Sequence, residues 1–177
     1  LGVEIVRSRD GMSHAGQTHQ EAPHPRVVYL TNEACASEHV KGWIGTLAAM
    51  DAPLILCVGA AALAAPQTGH AMTQRRIDLL AIEQNAWVLA ARDLRCKVVE
   101  TRTELDWAMK NGQICLWAPS KIVLDAVDGP SASPRDALAL AAWFAAEMKA
   151  KELLVIGAAA PDASVPVRAI PVDQANL

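Results

Sequence analysis

LILCVGAAAL, at residues 54–63, is the most informative segment of this sequence. Its first five residues are apolar, as expected of a buried parallel strand, and Gly59 ends the run. A helical pattern follows over about residues 72–92. Phosphate-binding α/β folds use a strand, a small-residue turn and a helix in this order, but their turns normally contain several glycines. Here one glycine precedes three alanines, so the sequence predicts a phosphate-handling scaffold that lacks much of the chemistry.

The composition restricts the class of protein. The chain has 177 residues, enough for one domain with a substantial core. Charged residues make up 20% and the formal net charge is -3, so we expect neither nucleic acid nor an anionic membrane as a partner. We see no bilayer-spanning apolar run and no secretory signal, and we expect a cytoplasmic protein. The cysteines form no CxxC pair, and we interpret three of them as buried free thiols in a reducing compartment: Cys57, Cys96 and Cys115.

Three regions follow one another along the chain. Residues 1–25 are polar, and His14, His19 and His24 recur in them at five-residue intervals. That period keeps side chains on one face of neither a helix nor a strand, so it supports a solvated arm better than a metal site. Residues 26–158 form the predicted α/β domain. Residues 159–177 form a C-terminal tail with an edge strand predicted at 165–170.

Strands and helices alternate through the domain. Apolar runs of strand length occur at residues 26–30, 54–58, 96–99, 114–117 and 153–157. Helical patterns occur at residues 37–50, 72–92, 101–110, 120–127 and 134–149. This alternation predicts a three-layer α/β/α domain with a mainly parallel central sheet.

Three details of the helices can be tested directly. In the second helix, the spacing places Ile77, Leu80, Ala81 and Trp87 toward the core. Either Thr101 or Thr103 can cap the third helix. In the last helix, we expect Ser133 as the N-cap, Pro134 as the first helical residue and Asp136 as the third, with Asp136 returning a hydrogen bond to the cap.

Six segments, taken in order, carry a family resemblance. RVVYLTNE at residues 26–33 falls where the family has a strand and a Lys-Leu-Gly-Gly-Ser turn, and LCVGAA at 56–61 where it has a strand and three glycines. LLAIEQNA at 79–86 resembles a helix with a Met-Glu-Gln core. WAPS at 117–120, with ALAAW at 139–143 and KELLVI at 151–156, resembles a Trp-Leu-Pro-Ser segment and the last helix and strand. Together they resemble the amino acid kinase superfamily of acetylglutamate, aspartate and uridylate kinases, most nearly the short kinase-like subgroup of methanofuran biosynthesis.

The resemblance also shows where this chain departs from the family. The lysine that neutralises the transferred phosphate corresponds to Tyr29, and a second lysine, at the end of the last strand, corresponds to Gly157. The family's Thr-Ser-Asp triplet corresponds to residues 136–138. Its nucleotide-binding C-terminal part would have to fit in the tail after Gly157, so we expect that part to be truncated. The implied, degenerate phosphate site comprises Thr31, Asn32, Gly59, Ala60, Ser120, Asp136 and Gly157.

These departures favour a non-catalytic protein. Phosphoryl transfer depends mainly on positioning and charge neutralisation, and both lysines and most glycines are missing. We therefore expect a binding or regulatory subunit that needs no cofactor. We expect it to pair with itself or with a kinase-like relative, through the helix around Trp87 or the one around Trp143.

Two alternatives remain open at this point. One is a small-molecule kinase of methanofuran-type cofactor biosynthesis that uses ATP and magnesium, with cations supplied by Arg75, Arg76, Lys121 or Arg135. The other is a pocket that binds a different small ligand without chemistry, using Asn32, Glu33, Ser120 and Asp136 at the strand ends.

Overall fold

The structure is a computed structural model that describes residues 24–50, 52–60, 68–127, 129–130, 136–157 and 166–170. The described part contains six β-strands: β1 (Arg26–Leu30), β2 (Leu54–Val58), β3 (Cys96–Val99), β4 (Ile114–Trp117), β5 (Leu153–Ile156) and β6 (Val167–Ile170). It also contains six helices: α1 (Asn32–Ala36), α2 (Val40–Ala48), α3 (Ala71–Arg92), α4 (Arg102–Lys110), α5 (Pro119–Asp125) and α6 (Ala137–Glu147).

The strands form one parallel sheet in the order β3-β4-β2-β1-β5-β6. Every residue of β2, β4 and β5 is buried, as expected for strands covered on both faces. Helices flank the sheet in a three-layer α/β/α arrangement, which confirms the predicted fold class. The predicted edge strand of the tail is also present, because β6 pairs with β5 at the end of the sheet.

The helices contact one another in two groups. In the first, α1 contacts α2 and α3, and α3 also contacts α5. Helices α4 and α6 are joined by an ion pair between Arg102 and Glu147, with a separation of 3.2 Å. The ring of Phe144 on α6 stacks on that of Trp117 in β4, with centroids 4.0 Å apart, which fixes α6 against the sheet.

Three predictions about helices were wrong in detail. Residues 32–36 lie outside the predicted helices but form the short helix α1, because the Thr31 hydroxyl accepts a hydrogen bond from the Ala34 N–H at 3.2 Å and caps it. The helix predicted from residue 37 begins only at Val40. Helix α6 begins at Ala137 with Asp136 as its N-cap, accepting from the Ala139 N–H at 2.9 Å, so Asp136 is not the third helical residue. The predicted cap Ser133 and Pro134 lie outside the described residues.

The buried face of α3 also differs from the prediction. Leu80 and Trp87 were expected in the core but are 54% and 55% exposed. Ala81 is buried as predicted, but the main buried stripe consists of Leu79, Ile82, Ala86 and Leu89, at spacings of three and four residues. Both stripes are apolar and lie one residue apart, so periodicity alone does not decide between them.

The carboxyl ends of β1 and β5 mark the position where a ligand is expected. The chain leaves β1 toward β2 on one side, whereas it leaves β5 toward β6 on the other. Connections that diverge in this way open a crevice at the carboxyl edge of a parallel sheet. The predicted site residues Thr31, Gly59 and Gly157 follow directly after β1, β2 and β5.

Candidate functional site

The carboxyl ends of β2, β1 and β5 lie side by side. Leu30 is in register with Val58 of β2 and with Ile156 of β5. The next residues, Thr31, Gly59 and Gly157, therefore stand at one level across three neighbouring strands. The structure thus brings these three predicted site residues together.

The backbone donors at this level are already used. The Gly59 N–H donates to the Leu30 carbonyl at 2.9 Å, and the Thr31 N–H donates to the Ile156 carbonyl at 3.1 Å. The Gly157 N–H donates to the Ile170 carbonyl at 2.9 Å. In effect, the sheet ladder continues one residue past each strand. An anion cradle requires free N–H groups, and these three are not free.

Two asparagine side chains close the turn after β2. The Asn32 amide donates to the Ala60 carbonyl. The Asn85 amide of α3 donates to the Gly59 carbonyl and to the Asn32 side-chain oxygen, both at 2.8 Å. Both turn carbonyls therefore point toward side-chain donors, so the turn presents acceptors where phosphate would need donors. The predicted site residues Asn32, Gly59 and Ala60 lie in this one network.

Gly59 is required by the close approach of Asn32. A Cβ atom at this position would lie 2.7 Å from the Asn32 side-chain oxygen, 3.2 Å from its backbone nitrogen and 3.2 Å from the Tyr29 hydroxyl. The first distance is too short for a carbon–oxygen contact. The space beside the Gly59 backbone is therefore occupied by the protein's own side chains.

Tyr29 lies beneath the same turn. It is 7% exposed, and burial raises its pKa to about 12, with smaller contributions from Cys35, Asp136 and Cys57. The phenol is therefore neutral at physiological pH. At the position that the resemblance aligns with a lysine, the site holds an uncharged group.

The remaining predicted site residues have structural partners. Asp136 caps α6 and lies close enough to Tyr29 to raise its pKa. Gly157 has a φ of 95°, a left-handed conformation that favours glycine. The Ser120 N–H donates to a Glu83 carboxylate oxygen of α3 at 2.8 Å, whereas the buried Ser120 hydroxyl has no hydrogen-bond partner among the described residues. Ser120 follows β4, so it lies at the same edge of the sheet but outside the asparagine network.

Of the four cations considered for a displaced phosphate site, the three that the structure describes do not converge on the turn. Lys121 is bonded to Glu100, and one Arg75 guanidinium nitrogen contacts the Pro130 carbonyl at 3.5 Å. Arg76 is exposed, and Arg135 lies outside the described residues. Glu33, considered for a pocket at the strand ends, is exposed.

Sequence reasoning missed the roles of Asn85 and Glu83. Both lie on α3, where they bond to the turn after β2 and to the start of α5. Asn85 directly precedes Ala86, within the buried stripe that runs from Ile82 to Leu89. A polar residue beside the buried stripe of an amphipathic helix was the available signal, because such a group requires a hydrogen-bond partner.

Further findings concern membrane-spanning helices, metal sites, cysteines and similarity to known proteins. The helices in the described part of the chain include none that is long and apolar enough to cross a membrane. Among the described residues, no group of three or more histidine, cysteine or acidic side chains is placed to hold a metal ion. The cysteines are free thiols, and Cys57, Cys96 and Cys115 are buried as predicted. No protein-family model matches the sequence, and no curated protein shows significant similarity to it.

Proposed function

We propose that this chain is a non-catalytic amino acid kinase-like protein that acts as a binding or regulatory subunit. The observation that carries the proposal is the closed turn after β2. The N–H of Gly59 is used within the sheet, and its carbonyl and that of Ala60 receive the Asn85 and Asn32 amides. A phosphate placed there would meet oxygen acceptors and would find few donors.

The charge balance supports the same proposal. Phosphoryl transfer needs cations at the transferred group, because charge spreads over its oxygens in the transition state. The neutral Tyr29 lies beside the turn, and Gly157 follows the last central strand. The carboxylates of Glu83 and Asp136 lie at the same edge of the sheet. This distribution of charge opposes the binding of an anionic nucleoside triphosphate. We therefore propose that the protein needs neither ATP nor magnesium.

The partner belongs to the proposal as well. We expect pairing with a second copy or with a kinase-like relative through α3, where Leu80 and Trp87 are each more than half exposed. The cytoplasm suits the chain because buried thiols persist in a reducing compartment. Net charge gives no support for binding to nucleic acid.

A phosphotransferase assay tests the proposal. The purified protein is incubated with magnesium, labelled ATP and a panel of small alcohols, amines and carboxylic acids, including a furan-methanol. We expect no labelled product above the level seen without protein. Phosphorylation that requires both magnesium and ATP, and that is lost in Gly59→Val, would overturn the proposal in favour of the small-molecule kinase.

A further inference from the structure

A cleft lies between α1 and α3, and Asn32 and Asn85 of the network at the turn after β2 also line it. Its volume is about 270 Å³, and its walls come from residues 32–36 and 85–92. This volume is near the lower limit for sites that hold small organic molecules. The cleft has a charged end at Arg92 and an apolar wall.

The charge of Arg92 has no carboxylate partner in the described part of the chain. Its guanidinium donates to two backbone carbonyls at the end of α1, those of Cys35 and Ser37. The neighbouring Arg95 is different, because it donates to both carboxylate oxygens of Asp93. A guanidinium has five N–H donors, and the two carbonyls use only two of them. Arg92 therefore keeps both a net charge and free donors.

No negative charge from the lining cysteine opposes this cation. Burial raises the pKa of the Cys35 thiol to about 12, so the thiol is neutral and donates weakly to the Leu30 carbonyl. The Asn32 side-chain amide has two N–H groups. One donates to the Ala60 carbonyl, which leaves the other available to a ligand. The polar end of the cleft thus contains a guanidinium and an amide donor.

Apart from Asn85, the rest of the cleft is apolar. Ala36 of α1 and Val88 and Leu89 of α3 line it, and Val88 is 53% exposed. An exposed valine beside an unneutralised guanidinium suits a ligand with an anionic head and a hydrocarbon body. A phosphate group suits it less well, because the apolar wall would remove water from its additional charged oxygens.

We propose that the α1–α3 cleft binds a small monocarboxylate with a short branched or aromatic body. The carboxylate accepts from the free N–H groups of Arg92 in the bidentate geometry that guanidinium favours, and the body packs on Val88 and Leu89. This inference goes beyond the proposed function, since it rests on Arg92 and the apolar wall and does not depend on the family resemblance.

Benzoate and benzamide are the probes for the first test. They have the same ring and differ in charge. We would follow the Arg92 Nε–H and the side-chain amide signals by nuclear magnetic resonance during titration at pH 7 and constant ionic strength. We expect saturable shifts with benzoate, and binding of benzamide weaker by about tenfold or more.

Two variants remove the anion site by different routes. Arg92→Gln deletes the charge, and we expect it to weaken benzoate binding about tenfold or more. Val88→Glu places a carboxylate four residues before Arg92 on α3, where the two side chains pair across one helical turn. That substitution occupies the guanidinium at an exposed position, so it serves if Arg92→Gln does not fold. Arg76→Gln is the control, because Arg76 does not line the cleft, and it should bind benzoate within about threefold of the original protein. Val88→Gln removes the same apolar side chain as Val88→Glu without adding a charge, so it should weaken benzoate binding less than Val88→Glu does.

Three results would overturn the inference. The first is equal affinity for benzoate and benzamide. The second is unchanged benzoate binding in Arg92→Gln or in Val88→Glu. The third is a linear, non-saturating response up to about 20 mM benzoate. The result of the phosphotransferase assay affects none of these outcomes.

Discussion

A methyl group at position 59 would collide with the side chain of Asn32. To admit it, Asn32 must give up its bonds to the Ala60 carbonyl and to the Asn85 amide. We expect Gly59→Ala to lower the free energy of unfolding by about 1–3 kcal/mol, through overpacking and unmade hydrogen bonds. Urea denaturation of the two proteins measures this difference.

Gly42 provides the matched control for this substitution. It lies on the exposed side of α2, and a Cβ there would meet no atom within 4 Å. Because glycine costs conformational entropy inside a helix, we expect Gly42→Ala to raise the free energy of unfolding by about 0.5–1 kcal/mol. The account of Asn32 is contradicted if both substitutions stabilise the protein.

Tyr29 can be observed alone, because the chain contains one tyrosine. Burial raises its pKa to about 12, whereas an unfolded tyrosine ionises near pH 10. We expect the ultraviolet absorbance of the phenolate to appear only well above pH 10 while circular dichroism still reports a folded chain.

The change of the free energy of unfolding with pH gives a second test of the raised Tyr29 pKa. The folded state holds the phenol proton more tightly, so the free energy of unfolding should fall as pH rises above the unfolded pKa. Replacement by phenylalanine removes this dependence. Ionisation near pH 10 in the folded protein would show that Tyr29 is not enclosed beneath the turn.

At the scale of single elements, α4 shows which of two threonines is the cap. The Thr101 hydroxyl accepts from the Glu104 N–H at 3.2 Å, and the Glu104 carboxylate accepts from the Thr101 N–H at 3.2 Å. Thr103 is an exposed residue within the helix. We expect Thr101→Ala to lower the free energy of unfolding by about 1 kcal/mol and Thr103→Ala to change it little. Thermal unfolding of the two variants measures this difference in stability. An equal loss of stability in both would be inconsistent with the reciprocal hydrogen bonds between Thr101 and Glu104.

The exposed apolar side chains of α3, Leu80 and Trp87, predict self-association. Trp87 is 55% exposed and follows Leu80 by two helical turns. If this face joins two copies, Trp87→Arg should shift sedimentation equilibrium toward the monomer, because a buried charge at the contact lacks a partner. Leu94→Arg is the control, since Leu94 is 93% exposed and lies beyond the end of α3. A sedimentation profile that is monomeric in all three proteins, or equally weakened in both variants, would contradict the prediction.

The elements differ in how well the sequence predicts them. Buried strands such as β2 and β5 are predicted to within a residue, because each is a short apolar run bounded by turn residues. The buried face of α3 is not predicted correctly. The stripes that contain Leu79 and Leu80 are both apolar in sequence, and only the one with Leu79 packs against the rest of the protein. That information comes from tertiary contacts with the sheet and α5.

At the scale of the whole molecule, the alternation of strands and helices predicts the parallel sheet but not the strand order. The order places Gly59 and Gly157 on either side of Thr31, and so decides which predicted residues meet. Asn85 could not be assigned to the turn from the sequence, because it lies 26 residues after Gly59 and reaches it only once α3 is packed. Sequence therefore predicts which turns lie at the ligand edge, whereas the closure of that edge depends on packing.

We expect the closed turn after β2 not to accept a nucleotide phosphate. Calorimetric titration of the purified protein with magnesium ATP, and separately with ADP, tests it most directly. The account predicts no binding heat and no shift in unfolding temperature at millimolar nucleotide, because the donors at the strand ends are used within the protein. Saturable binding at micromolar nucleotide, weakened by Gly59→Val, would contradict the account and identify the turn after β2 as a working phosphate site.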